Sequence, residues 1–146
     1  MSRISPSRVA LAATTAAVLL RVCWLDRLPG LNGDEAWYGA NLQTIMSGQS
    51  GFWTTPSGNP LNPLHSGPLA LLMLLFQPAP WVLRAPETLW SIVAVAASFP
   101  LLRRSIGDRA AVITTVLLAA SPVAIIYGRL GWDPSGSILI TLIGMA

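Results

Sequence analysis

Three long apolar runs, Val9 to Leu25, Ala85 to Leu102 and Ala110 to Tyr127, leave this chain few ways to fold in water. A helix over Ala85 to Leu102 would measure about 27 Å at 1.5 Å per residue. The hydrocarbon core of a bilayer is about 30 Å thick, so runs of this kind have the length of a membrane span. Charged residues make up only 10% of the sequence, against roughly 25% in a soluble domain. The chain is therefore read as an all-α integral membrane protein, a polytopic helical bundle. Its spans are expected at about 9–25, 85–102 and 110–127, with the start of a fourth at 137–146.

All nine basic residues are arginine, and the formal net charge is +3. They sit at the ends of the apolar runs and form no patch interleaved with aromatics, so no nucleic acid is expected as a partner. Arg103, Arg104 and Arg109 crowd the short loop after the second run, and Arg3 and Arg8 precede the first. Arginine-rich loops stay in the cytoplasm. The expectation is a multi-pass protein of the cell (plasma or inner) membrane with a cytoplasmic N-terminus. Arg21, Trp24, Asp26 and Arg27 stand where a signal peptide would carry a small-residue cleavage site, so the first run is read as a membrane helix. Arg21 is expected to snorkel toward the outer interface. The lone Cys23 can build no disulfide and no cysteine-based zinc site within the chain.

Segment 26–83 then lies outside, as a first extracytoplasmic loop. Within it, Pro68 to Phe76 is apolar but would reach only about 14 Å as a helix, which suits an interfacial element rather than a span. Pro122 is expected to kink the third span. In "LNGDEAWYG", Asn32 and Glu35 have capping-box spacing, and Tyr38, Leu42, Ile45 and Met46 continue at helical spacing toward Gly48. This predicts a helix over Gly33 to Ser47 in which Glu35 caps, Gln could replace it in that cap, and the neighbouring Asp34 is left free.

On this topology Asp34, Glu35, His65, Arg84, Arg129 and Asp133 all fall on the outer side. Each has a local reading: His65 as a satisfied polar residue, Arg84 paired with Glu87, Arg129 paired with Asp133 four residues on. Together they describe a polar cavity suited to an anionic substrate, since ionisable groups near membrane depth tend to line cavities.

The segments "LNGDEAWYG", "PLHSGPLALLMLLF", "LRAPETLWSIVAVAASFPLLRRSIGDR" and "YGRLGWDPSG" follow in that order. Together they resemble the N-terminal part of the polytopic protein mannosyltransferase and aminoarabinose-transferase superfamily, the GT-C fold glycosyltransferases. The resemblance runs from Arg21 to Gly136 and corresponds to about the first third of a typical member. It implies transfer of a sugar from a polyprenyl-phosphate donor to a hydroxyl on the extracytoplasmic face, with membrane lipid as the other partner. It also implies Asp34 as catalytic base or metal-site acid, Glu35 supporting it, and Asp133 across the same cavity. His65, Arg84 and Arg129 would lie near the donor phosphate. The cofactor stays unknown, with a divalent metal possible. Relatives acting on lipid A carry a Glu-Lys pair where this chain has Leu64-His65, so the broader sugar-transferase group fits better.

Two other readings stay open at this level. One is a non-catalytic polytopic membrane protein, such as a transporter segment or assembly partner. A transporter would gather its charges at the midplane of broken helices, whereas these charges fall at helix ends. Ile138 to Ala146 begins an apolar run that the chain end cuts off, so residues 1–146 are expected to be an N-terminal fragment of a polytopic transferase domain. The other reading is that this fragment is inactive without its remaining helices.

Overall fold

The computed structural model describes residues 5–132 and 137–145. Among the described residues the chain is all-α, with six helices and no strand beyond an isolated bridge between Thr54 and Pro60. α1 (Pro6–Val22) opens with Pro6 in its first turn, where a missing N–H costs nothing. It stops at Val22 rather than Leu25, because Trp24 adopts φ +55 and turns the chain.

α4 (Pro80–Ala120) carries most of the second and third apolar runs. It is a hairpin of two arms, 80–106 and 108–120, joined at Gly107 (φ 80, ψ 160). The arms run back along each other, and the hydroxyls of Ser98 and Thr115 meet across them at 2.7 Å. The first arm begins at Pro80, so Arg84 and Pro86 lie inside it rather than opening it. The expected kink at Pro122 is a full break. Ser121 is extended and caps α5 (Pro122–Tyr127), its Oγ accepting from the Ala124 amide at 3.3 Å.

That break explains Arg21, which does not snorkel to an interface. It is fully buried, and its Nε donates to Ser91 Oγ at 2.8 Å. Its Nη1 and Nη2 donate to the Ala119 and Leu118 carbonyls, each at 3.2 Å. Pro122 has no N–H to offer the Leu118 carbonyl, so the end of the second arm needs an outside donor. The Arg21 side chain supplies it, with its charge at the negative end of a helix dipole.

α1 packs along α4 through small residues: Ala17 meets Val95 and Ala119 in one cluster. Ala10 joins Ala94, Phe99, Leu102, Ala111 and Leu142 of α6 (Ser137–Met145) in another. Small side chains allow helix axes to approach closely. A third core gathers Tyr38 and Leu42 of α2 (Gly33–Met46), Leu69 of α3 (Pro63–Leu75), and Val82 and Leu83 of α4. It caps one end of the bundle. α3 starts at Pro63 rather than Pro68, with Asn62 Oδ1 accepting from the Leu64 amide at 3.0 Å. Its 13 residues still reach only about 20 Å.

Large apolar side chains stand exposed along the helices: Leu11, Leu74, Leu117 and Ile140 are each 60 to 70% exposed. By length and composition, an 18-residue stretch within Pro80–Ala120 is apolar enough to cross a membrane.

Gly107 is a sharp test of the hairpin. Its φ of 80 with ψ of 160 is a region that side chains avoid, although a Cβ there would touch nothing within 4 Å. Gly107→Ala is expected to cost about 1–3 kcal/mol through backbone strain alone. A lowered thermal midpoint of the detergent-solubilised chain checks this; an unchanged midpoint would contradict the sharp turn.

Candidate functional site

The site grows from the start of α2. Asn32 is extended (φ −99, ψ 169), and its Oδ1 accepts the Glu35 amide at 2.8 Å. Glu35 Oε2 returns to accept the Asn32 amide at 3.1 Å, so the capping box of the sequence is present. Glu35 does more than cap. Its side chain is fully buried, and the Arg84 fork donates to it from Nε at 2.7 Å and Nη2 at 3.0 Å. The Gly131 amide adds a fourth bond to Oε1 at 2.7 Å. Only glycine permits that approach, since a Cβ at 131 would stand 2.6 Å from the Leu83 carbonyl oxygen.

Burial pushes the Glu35 carboxyl upward. The hydrogen bonds from Arg84, Gly131 and Asn32, with the Arg84 charge, outweigh that and hold it below the ordinary carboxylate value. Glu35 is thus an ionised carboxylate with both oxygens doubly bonded to donors, joining α2, α4 and the 128–132 segment.

Arg84 spends its remaining terminal nitrogen, Nη1, on the Leu25 carbonyl at 2.8 Å. Arg129 donates to Leu28 O from Nε at 3.0 Å and from Nη2 at 2.7 Å, and to Leu20 O from Nη1 at 2.7 Å. The two arginines therefore brace the turn that follows α1. With Glu35 they form a buried group carrying one net positive charge. Asp133 lies outside the described residues, so the expected Arg129–Asp133 relation has no geometry here.

His65 and Glu87 form a second buried pair, His65 Nδ1 to Glu87 Oε1 at 2.7 Å. The ring of Tyr38 stands edge-on to His65, with centroids 4.6 Å apart. His65 Nε2 has no hydrogen-bond partner among the described residues. The local pairing of Arg84 with Glu87 on one helix is thus replaced by two pairs between elements, Arg84 with Glu35 and Glu87 with His65. Packing decides this, because α2 and α3 cover that face of α4 and each brings its own partner. The part that sequence reasoning passed over is Gly131, while Glu87 and Arg21 were given other partners, Arg84 and the outer interface. Glu87 did give a signal, since a carboxylate inside an apolar run needs a partner. Nothing in the spacing of Gly131 pointed to Glu35.

Asp34 behaves oppositely to its neighbour. Successive helical residues point about 100° apart, from 3.6 residues per turn, so with Glu35 turned inward Asp34 faces out and is exposed. It lies at a cavity of ≈330 Å³ walled by Trp37 and Trp132 and rimmed by Thr55, Ser57 and Asn59. A separate cleft of ≈320 Å³ lies at the other ends of α2 and α3, against Met46, Met73 and Phe76. Among the described residues no group of three His, Cys, Asp or Glu side chains gathers to hold a metal ion. The arrangement therefore offers one accessible carboxylate beside a buried, net-positive network.

The family model described as dolichyl-phosphate-mannose-protein mannosyltransferase matches residues 60–143, more than half of the chain. The match takes in His65, Arg84, Glu87 and Arg129. No curated protein and no solved structure matches the chain.

Proposed function

The chain belongs to the dolichyl-phosphate-mannose-protein mannosyltransferase family, and from that premise we propose that it moves a sugar from a polyprenyl-phosphate donor to a hydroxyl acceptor on the extracytoplasmic face of the cell membrane. The observation that carries this reading is the contrast between Asp34 and Glu35. One carboxylate is exposed at a cavity while its neighbour is locked into an arginine fork.

In the proposed reaction Asp34 takes the proton of the acceptor hydroxyl as that oxygen bonds to the anomeric carbon. The bond from that carbon to the donor phosphate oxygen breaks, and the polyprenyl phosphate leaves with the electron pair. A hydroxyl is a weak acid at neutral pH, so a positioned base matters. A phosphate leaving group gains from fixed positive charge nearby. Arg84 and Arg129, already engaged with carbonyls and Glu35, act on the phosphate through their charge. His65, buried and paired through Nδ1 with Glu87, is assigned to the donor-phosphate side of the site. Asp133 is assigned to the opposite wall of the cavity. The family name and the position of Asp34 support this assignment of roles.

The membrane orientation belongs to the same proposal. Along the first arm of α4, Arg84 and Arg103 stand about 30 Å apart at 1.5 Å per residue, one hydrocarbon core thickness. The Arg103–Asp108 end is exposed and polar, with those two side chains 3.5 Å apart. The proposal puts that end in the cytoplasm, segment 26–83 outside, and α3 along the outer interface. In a Cys23→Ser background, a cysteine at Ser50 is expected to react with an impermeant thiol reagent added to intact cells. A cysteine at Ser105 is expected to be shielded, and labelling there would reverse the orientation.

The activity itself is tested with membranes carrying the chain and polyprenyl-phosphate donors bearing a radiolabelled hexose or pentose. Label appearing on a hydroxyl-bearing acceptor, with release of polyprenyl phosphate, is the expected result. Label taken only from nucleotide sugars would overturn it.

A further inference from the structure

From Ala36 to Leu83 the chain carries no aspartate, glutamate, lysine or arginine. This stretch holds most of α2, all of α3 and the turn between them, and apart from His65 its polar side chains are neutral amides, hydroxyls and aromatic groups. Within the turn Phe52 and Trp53 are 67% and 72% exposed. Their exposure is built in. The Phe52 amide donates to Asn41 Oδ1 at 2.8 Å, and Asn41 Nδ2 donates to the Phe52 carbonyl at 2.9 Å. Asn41 is itself buried, in α2. The Leu61 amide donates to the Trp53 carbonyl at 3.0 Å, and Thr54 bridges Pro60 just beyond. The backbone under both rings is thus fixed while the rings stand outward. Adjacent exposed rings on a held backbone mark an interaction surface.

The contacts around the turn say what that surface meets. Leu61 is followed directly by Asn62, the cap of α3. At the start of α3 the Leu64 carbonyl accepts from Trp90 Nε1 at 2.9 Å. Trp90 follows Arg84 along the first arm of α4, on the bilayer side of it in the orientation proposed above. The turn therefore enters α3 at the level of the membrane rather than above it. Leu64 and Leu89, next to that bond in the chain, are both exposed, so the apolar face of the span continues onto α3. Aromatic rings gather at the headgroup boundary, where an indole keeps its body in an apolar layer and its N–H in a wet one. Attraction to anionic lipid comes from basic residues, and this stretch has none. Resting on that orientation, we propose that Phe52 and Trp53 form an uncharged lipid anchor. The two rings insert at the headgroup boundary of the outer leaflet and draw on no anionic lipid. The tip of the same turn, Thr55 to Asn59, stays at the aqueous rim beside Asp34.

The test uses the whole chain in phosphatidylcholine vesicles, with a nitroxide attached to Trp53→Cys in a Cys23→Ser background. The reference is the same label on Ser57→Cys, at the exposed tip of the turn. Collisions with dissolved oxygen report immersion in the bilayer, and collisions with a water-soluble nickel chelate report exposure to water. At Trp53→Cys oxygen is expected to dominate, with nickel collisions several-fold rarer than at Ser57→Cys. Phe52→Cys is expected to behave as Trp53→Cys does, which keeps the test decisive if one variant fails to fold. Phosphatidylglycerol in the vesicles, or salt at about 1 M, where the screening length is about 3 Å, is expected to change neither reading. Nickel collisions at Phe52→Cys and Trp53→Cys as frequent as at Ser57→Cys would overturn the anchor by leaving both rings in water. Rare collisions with both reagents would overturn it in favour of a protein partner, a further segment of chain or a second copy. Immersion that is lost in salt or needs phosphatidylglycerol would overturn its uncharged character. Collision rates depend neither on which face of the vesicle carries the turn nor on sugar transfer. A failed anchor and a reversed orientation are therefore separate results, the second read from labelling at Ser105.

Discussion

Arg84→Ala is expected to remove a large share of the stability of the chain. It deletes both donors of the fork and leaves the Glu35 carboxylate buried, with only the Asn32 and Gly131 amides to hold it. Breaking one side of a buried ion pair costs about 3–5 kcal/mol, against a total stability of about 5–15 kcal/mol for a domain. The level of protein in membranes should fall sharply, and the thermal midpoint in detergent should drop. Arg84→Lys should rescue little, because an ammonium cannot make the two parallel bonds. Arg104→Ala, at an exposed position, should change stability by no more than about 0.5 kcal/mol. Equal midpoints for Arg84→Ala and Arg104→Ala would show that the fork does not hold the site together. The same pair carries a pH signature. The Glu35 carboxyl is held below its ordinary value in the fold, so its stabilisation is complete at neutral pH and disappears as pH falls through that lowered value.

Arg84 and Glu35 also mark how far the sequence could be read. The capping box at Asn32 and Glu35 was legible because it is local, fixed by spacing and residue type. The expectation that Gln could stand in for Glu35 rested on that cap alone. With the arginine fork in place, Glu35→Gln leaves the Arg84 charge buried and under-compensated, so it joins Arg84→Ala as a folding variant. The family assignment was legible from short ordered segments, and the match over residues 60–143 bears it out. The helical class was legible from the apolar runs. Helix ends were less so. Trp24 at positive φ shortens α1, and Pro122 divides the third run, because backbone geometry rather than hydrophobicity decides where a helix stops. Arg21 was misplaced for a related reason. In an apolar run an arginine is expected to reach for water, but here it found the unpaired carbonyls of a broken helix. Long-range partners such as Gly131 with Glu35, or Glu87 with His65, leave no trace in local spacing and need the packed fold to appear.

Asp34→Asn is the variant with the largest expected effect on chemistry. Asn keeps the size of the side chain and much of its hydrogen-bonding reach but cannot take a proton. Asp34 is exposed in the first turn of α2, so its contribution to folding is that of a helix-end charge, about 0.3–1 kcal/mol. Loss of a general base lowers a rate by about 10²–10⁴. The direct measurement is the initial rate of radiolabelled sugar transfer from a polyprenyl-phosphate donor, in membranes adjusted to equal levels of wild-type chain and Asp34→Asn. The expected result is a fall of at least about a hundredfold with a thermal midpoint close to that of the wild type. Transfer by Asp34→Asn within a few-fold of wild type would contradict the assignment of Asp34 as the base and return the Asp34-Glu35 pair to a purely structural role.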